Sequence, residues 1–509
     1  MIMEAFAPPF VVAIDIGTTH CRAQIFDCTL QPLPGLYVSR PQPVVRSGDR
    51  AELDPEAGLA VLLDALAELF ARLNPNLPPE RFPIAAVGVA SLWHSLIGVD
   101  ADGYPLTPCL LWEDRRSAVQ AERLRRQLDP VEYHRVTGAF LHPSFPACQI
   151  LWWQDEDRER ARKVARWLTL PEYYYLRLFG RTATSFSLAS GSGLLDQQTL
   201  GWWPELLQLL RIAPEQLSSL GEADWVISGL RSPFRQQLPR LADTPFLLPV
   251  GDGACDNLGA HALSARNWSL MLGTSGALRV ILPAAAAEQA PFGLFRYRLL
   301  RDWAVVGGTV NSAGSLAEWL RRTLLLPGDP DLLAEELNLV PGPSPLLVLP
   351  DWAGRRSPDW PGSAFGVIAG LSLSTRPIEI FRAALEAIGY RLQIIYQLLE
   401  DFTGKPLTLT ATGGALQRFP QWGQILADIL GTEVTLCSVG ETSLRGAARL
   451  ALWATGNLPD LLDTAEAAPP PGKPITPNWE KHRLYEEACS RHRQLTSLLS
   501  DLQPPGVQR

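Results

Sequence analysis

Apolar residues Phe10 to Ile14 run without a break into Asp15, and an alternating stretch, Arg22-Ala23-Gln24-Ile25-Phe26-Asp27, follows the segment Ile16-Gly17-Thr18-Thr19. This pattern on either side of a glycine-hydroxyl turn predicts a β-hairpin with an aspartate at the end of its first strand. Apolar spacing from Glu56 to Leu73 predicts an amphipathic helix, and Ile84 to Ala90 reads as a buried strand. That strand runs into Ser91-Leu92-Trp93-His94-Ser95, then Leu96 to Asp100 with a turn at Asp102-Gly103, and Leu110-Leu111-Trp112 ends another strand. Helical patterning dominates from Ser117 to Leu178, with breaks at Thr137-Gly138 and at His142-Pro143-Ser144-Phe145-Pro146. Ser185 to Asp196 reads as a loop, and Arg211 to Leu241 as helix and loop.

Further on, the apolar run Leu247-Leu248-Pro249-Val250 ends at Gly251-Asp252-Gly253, which opens a small-residue segment with helical potential. Leu270-Met271-Leu272 then ends in the turn Gly273-Thr274-Ser275-Gly276. Val305 to Asn311 precedes a helix from Gly314 to Leu325, Leu346 to Leu349 is a strand, and Ala353 to Gly362 is a polar loop. Ile378 to Leu399 is a long amphipathic helix; Leu407 to Ala411 is a strand that ends in Thr412-Gly413-Gly414-Ala415, with a helix through Leu430. A proline-rich stretch, Ala468 to Pro477, leads into a C-terminal helix from Trp479 to Leu502. The organisation expected is a first domain over 1–245, a second over 246–467, and a linker with C-terminal helix over 468–509.

Composition narrows the field. A chain of 509 residues is too long for one core, so two large domains are the default. The net charge of -8 argues against nucleic acid as the main partner. Seven scattered cysteines with no Cys-x-x-Cys pair argue against zinc ribbons and disulfide frameworks. No apolar run has the length of a membrane span, and Met1 to Phe10 lacks the basic region and apolar core of a signal peptide. The expectation is a cytoplasmic protein with neither nucleic acid nor membrane as partner; a homodimer stays open.

The chemistry gathers at strand ends, where α/β proteins present groups to ligands. Asp15 beside the Gly17-Thr18-Thr19 turn is equipped to hold a hydrated Mg²⁺ next to phosphate. Asp252, after its own strand, is a candidate general base, with Asp256 one helical turn on as the rival. The segment Val12-Ala13-Ile14-Asp15-Ile16-Gly17-Thr18-Thr19 is echoed by Ser269-Leu270-Met271-Leu272-Gly273-Thr274-Ser275. Two such phosphate clips in two similar halves imply a nucleotide between them, the logic of the actin-like ATPase fold. The loops Trp93-His94-Ser95 and Trp112-Glu113-Asp114-Arg115-Arg116 pair aromatic faces with polar groups, a composition suited to sugars.

Taken together these residues resemble the FGGY carbohydrate kinases over nearly the whole chain. Gly366-Val367-Ile368-Ala369-Gly370-Leu371, Glu379-Ile380 and Ala383-Ala384-Leu385-Glu386 fit the family's C-terminal signature. The resemblance implies an α/β architecture of two actin-like (ribonuclease-H-like) domains with a nucleotide cleft between them, and ATP and Mg²⁺ as cofactors. It implies Asp252 as catalytic base and Asp15 with Asp252 at the metal. Gly17, Thr18, Thr19, Arg22, Gly273, Thr274, Ser275, Gly276, Gly314, Gly413, Gly414 and Ala415 would contact ATP. Within the family the loops look most like gluconokinases, which places His94, Ser95, Trp112, Asp114, Asp252 and Asn257 at a sugar or sugar-acid acceptor. A xylulose kinase-like pentulose or polyol acceptor is the alternative, and a non-catalytic nucleotide switch the second. Three departures stand out: Gln149 where lysine is usual, Arg355-Arg356-Ser357-Pro358 in place of Glu-Arg-x-Pro, and Glu318 where glutamine is frequent. Loss of the lysine predicts a less cationic pocket.

Overall fold

The N-terminal hairpin joins Phe10–Ile16 to His20–Phe26, antiparallel, with Val11 opposite Phe26 and Ile16 opposite Cys21. A computed structural model of the chain describes residues 6–74, 77–361, 364–462 and 468–499. Every residue of the first strand is buried, as expected of a strand covered on both faces. Pro32–Pro41 pairs antiparallel with His20–Phe26, and Ile84–Ser91 runs parallel to Phe10–Ile16 on the other side. A parallel neighbour needs a crossover, and the helix Pro55–Ala71, capped by Asp54, lies in that connection.

The same arrangement recurs in the second half. Asn267–Leu272 and Gly276–Pro283 form the hairpin, Trp303–Val310 flanks its second strand antiparallel, and Thr408–Thr412 runs parallel to its first. The two turns that echo each other in sequence thus occupy equivalent places in two sheets. The fold is the expected α/β architecture of two actin-like domains, each built on a hairpin with a parallel strand beside its first strand.

Sequence and structure part company at several elements. The strands Phe246–Leu247 and Val250–Gly251 pair with Ile84–Ser91, so the first sheet continues past residue 245. The stretch 117–178 breaks into five helices and the strand Arg166–Leu168, which pairs with Ser95–Val99; long-range pairing overrides local propensity there. Ser185 to Asp196 contains a short helix, Phe186–Gly191, whose first turn is capped by the Ser185 hydroxyl accepting from Leu188 N at 3.1 Å. At the C-terminus, Lys473–Ile475 adds to the second sheet beside Val434–Leu436, and the helix Trp479–Leu498 buries Tyr485, Ala488 and Cys489 in the second core. The expected boundary at 467, Gly362 at the end of the polar loop and helix residues 500–502 lie outside the described residues. Among the described residues no helix is long and apolar enough to cross a membrane.

Helix Thr442–Ala454, from late in the chain, packs against Phe10–Ile16, Ile84–Ser91 and the helix Asp252–Gly259. It thereby brings Ser443 to Asp15 and Thr442 to Asp256.

Candidate active site

Asp252 opens its helix directly after Val250–Gly251, one strand away from Phe10–Ile16, which ends beside Asp15. Gly251 is required here: a β-carbon would stand 2.0 Å from the Trp93 ring, so only glycine lets that indole pack on the backbone before Asp252. Asp252 Oδ1 accepts from Gly253 N at 2.7 Å. Burial first, then the charge of Asp15, pushes the Asp252 carboxyl up to about 7, with Arg279 opposing. A carboxylate near neutrality is suited to taking a proton from an alcohol.

Asp15 is buried, and its Oδ2 accepts from Arg22 Nη1 at 3.0 Å and Ser443 Oγ at 2.8 Å. Its Oδ1 is buried with no hydrogen-bond partner among the described residues. Burial raises the Asp15 carboxyl above its ordinary value, against the pull of Arg22. A bare carboxylate oxygen beside a second carboxylate fits a divalent cation. Among the described residues no group of three or more His, Cys, Asp or Glu gathers to ligate a metal. Such a cation would therefore lean on phosphate and water as well, in the manner of Mg²⁺.

Asp252 opens onto a cavity of about 80 Å³. Trp93, His94 and Trp112 come from the first half, and Arg279, Tyr297 and Arg356 from the second. His94 Nδ1 lies 2.6 Å from the Gly191 carbonyl oxygen, which only accepts, so Nδ1 carries the proton. Burial pushes the ring's pKa down to about 3, and Nε2 of the neutral ring is left as an acceptor. Three further lining residues have buried polar atoms without a partner among the described residues: Tyr297 Oη, Thr309 Oγ1 and Trp360 Nε1. Unpaired polar atoms around a cavity are what a polyhydroxylated ligand would satisfy. Trp112 Nε1 donates to Thr18 Oγ1 at 2.9 Å, tying the cavity wall to the first clip.

Three residues expected at the acceptor lie elsewhere. His94 borders the strand Ser95–Val99, and its neighbour Ser95 points the other way, its hydroxyl accepting from Leu170 N at 3.0 Å. Asp114 accepts from Ala51 N at 2.9 Å and pairs with Arg116, holding a loop together. Asn257, five residues into the helix, is turned away from the face Asp252 presents, and its Oδ1 accepts from Arg279 Nε at 3.1 Å. Arg115 and Arg116 are paired with Asp49 and with Asp114 and Glu52. Gln149 is buried outside the cavity and donates to the Leu111 carbonyl at 3.3 Å. The cavity itself is lined by two guanidiniums, those of Arg279 and Arg356. Sequence reasoning gave Arg279, Tyr297, Thr309 and Trp360 no role. The one available signal was Phe295 and Tyr297 at alternate positions of a strand, which places both rings on one face.

On the nucleotide side, Gly273 O accepts from Gly314 N at 2.9 Å, and Thr274 O accepts from Ala313 N at 3.1 Å. These bonds bring the second clip and the start of helix Gly314–Thr323 together. Gly413 has φ +95°, a conformation glycine favours, while a β-carbon at Gly414 would meet nothing within 4 Å. Gly276 and Ala415 are buried in the second domain, and Arg22 is committed to Asp15 and, at 3.6 Å, Glu441. Glu318 is held down to about 2 by its hydrogen bond to Arg321, with Arg322 adding to it.

Comparison with known proteins gives the constellation its context. The family model described as "FGGY family of carbohydrate kinases, N-terminal domain" matches residues 10–259, and its C-terminal counterpart matches 269–455. The gluconokinase of Bacillus subtilis (strain 168) is 29% identical over 506 residues, covering 97% of this chain and 95% of the relative. The xylulose kinase of Escherichia coli (strain K12) is 27% identical, covering 96% of this chain and 99% of the relative. The solved gluconate kinase from Lactobacillus acidophilus superposes with a TM-score of 0.87 at 26% identity, covering 97% of this chain and 99% of its own.

Proposed function

The chain belongs to the FGGY family of carbohydrate kinases, and on that premise we propose that it transfers the γ-phosphoryl group of ATP to a hydroxyl of gluconate, giving 6-phosphogluconate. The observation that carries the reading is the company Asp252 keeps. One carboxylate near neutrality shares a cavity with partnerless hydroxyl and indole groups and with the guanidinium of Arg356, which has no ion-pair partner among the described residues. The first feature suits proton removal, the second a polyol chain, and the third an acceptor that carries negative charge.

In this mechanism Asp252 takes the proton of the attacking hydroxyl as its oxygen bonds to the γ-phosphorus. The bond from that phosphorus to the β–γ bridging oxygen breaks, and ADP leaves. The turns Gly17–Thr19 and Gly273–Ser275 offer backbone N–H and hydroxyl donors to the phosphates. Asp15 and Asp252 would hold Mg²⁺, which when bound neutralises phosphate charge. His94 Nε2 accepts a hydrogen bond from a hydroxyl of the acceptor, which orients the chain. Positioning and electrostatics account for most of the rate in transfers of this kind.

Two measurements bear on the reading. Steady-state ADP release with gluconate, xylulose, ribulose and glycerol as acceptors should give the highest kcat/KM for gluconate. A neutral acceptor preferred by about tenfold, roughly 1.4 kcal/mol of transition-state discrimination, would replace gluconate and leave the kinase reading standing. The similarity to xylulose kinases makes a pentulose the first replacement. On the nucleotide side, Gly414→Val fills open space, so it should raise the KM for ATP by more than that for the acceptor at unchanged thermal stability. Equal effects on both constants would reduce the loop to a structural element.

A further inference from the structure

Arg356 is 6% exposed, and burying a guanidinium normally demands a counter-ion. Four other buried arginines of the second half have one: Arg279 pairs with Asp256, Arg382 with Glu386, and Arg355 and Arg391 with Asp351, while Arg296 and Arg298 spend their terminal nitrogens on backbone carbonyls. Arg356 has none among the described residues. Its Nε donates to Asn311 Oδ1, and its guanidinium lies over the Trp112 ring at 4.5 Å. Asn311 is itself oriented, because its Nδ2 donates to the Ala353 carbonyl at 2.8 Å. The guanidinium plane is thus fixed from one edge and one face, and among the described residues its two terminal nitrogens meet no acceptor. Burial without a paired anion brings its pKa down to about 10.

Arg279, the other guanidinium of the cavity, is already committed, with Nη2 2.6 Å from Asp256 Oδ2 and Nε on Asn257. We propose that Arg356 is the specificity-determining residue that receives the acceptor's carboxylate, its two terminal nitrogens forming a fork that a carboxylate fills and a hydroxymethyl group does not. This assignment rests on the sugar-acid reading above. The seat is assembled from both halves of the chain, Trp112 from the first and Asn311 with Arg356 from the second. Acid recognition is therefore complete only where the two halves meet around the acceptor.

The test compares gluconate with glucitol, the same carbon chain carrying a hydroxymethyl group in place of the carboxylate. The quantity read is the ratio of their kcat/KM values in the parent chain, Arg356→Gln and Arg356→Lys, with thermal unfolding followed in parallel. The parent should prefer gluconate, and Arg356→Gln should lower the ratio about 100-fold. Arg356→Lys should recover only part, because an ammonium lacks the planar fork. Arg356→Gln should not unfold at lower temperature, since it removes a buried charge that has no ion-pair partner among the described residues, and its unfolding midpoint separates a lost contact from a lost fold. A parent that prefers gluconate with a ratio unmoved in both variants overturns the assignment and leaves the gluconate reading intact. A parent that prefers glucitol overturns both.

Discussion

Asp252→Asn is expected to lower kcat by about two orders of magnitude or more while the affinity for ATP stays close to that of the parent chain. Asparagine keeps the side chain's shape and can still accept from Gly253 N, the contact that fixes Asp252 Oδ1. What it loses is the capacity to take a proton. Removing this charge also relieves the repulsion with Asp15 that helps raise the Asp252 carboxyl, so thermal stability should hold or rise. Nucleotide affinity is measured with a non-hydrolysable analogue and turnover by ADP release. Turnover within a few-fold of the parent would remove Asp252 from the base role and reopen the mechanism.

The parts of this molecule that were legible in its sequence are those written in short-range periodicity. Both clips follow strands that read as unbroken apolar runs, and the glycine-hydroxyl turns Gly17-Thr18-Thr19 and Gly273-Thr274-Ser275 mark where each hairpin reverses. Asp252 was legible for the same reason, as the first residue after an apolar run. The acceptor cavity was only half legible, because it is closed by residues more than a hundred positions apart. Trp93 and His94 meet Phe295 and Tyr297 only through the packing of two domains. Arg356 and Trp360 sit in what reads as a polar loop. They are brought together by a turn in which Trp360 N donates to Arg356 O at 2.8 Å, and no periodicity encodes that. Ser95 and Asn257 were placed at the acceptor because they neighbour the right residues in sequence. Strand alternation turns Ser95 to the opposite face, and helical rotation turns Asn257 away.

Asp256 shows most clearly how the structure changes an expectation. As the rival base Asp256 would need an oxygen free to take a proton, yet the carboxylate has no room for that role. It accepts from Ser269 Oγ at 3.0 Å, Arg279 Nη2 at 2.6 Å and Thr412 Oγ1 at 3.0 Å, and from Thr442 Oγ1. Those donors lie on two strands of the second hairpin, on the strand before Gly413, and at the start of the helix that carries Ser443 to Asp15. Asp256→Asn strips Arg279 of its counter-ion inside the protein and points an amide donor at groups that already donate. Breaking a buried pair from one side costs about 3–5 kcal/mol. At about 2–4 °C of Tm per kcal/mol for a domain of this size, the unfolding midpoint should fall by roughly 10 °C. Asp256→Leu combined with Arg279→Met should lose less than the sum of the two single changes, because removing both charges leaves neither one stranded. Additive losses, or an Asp256→Asn chain that unfolds with the parent, would mean that this carboxylate does not anchor the second clip.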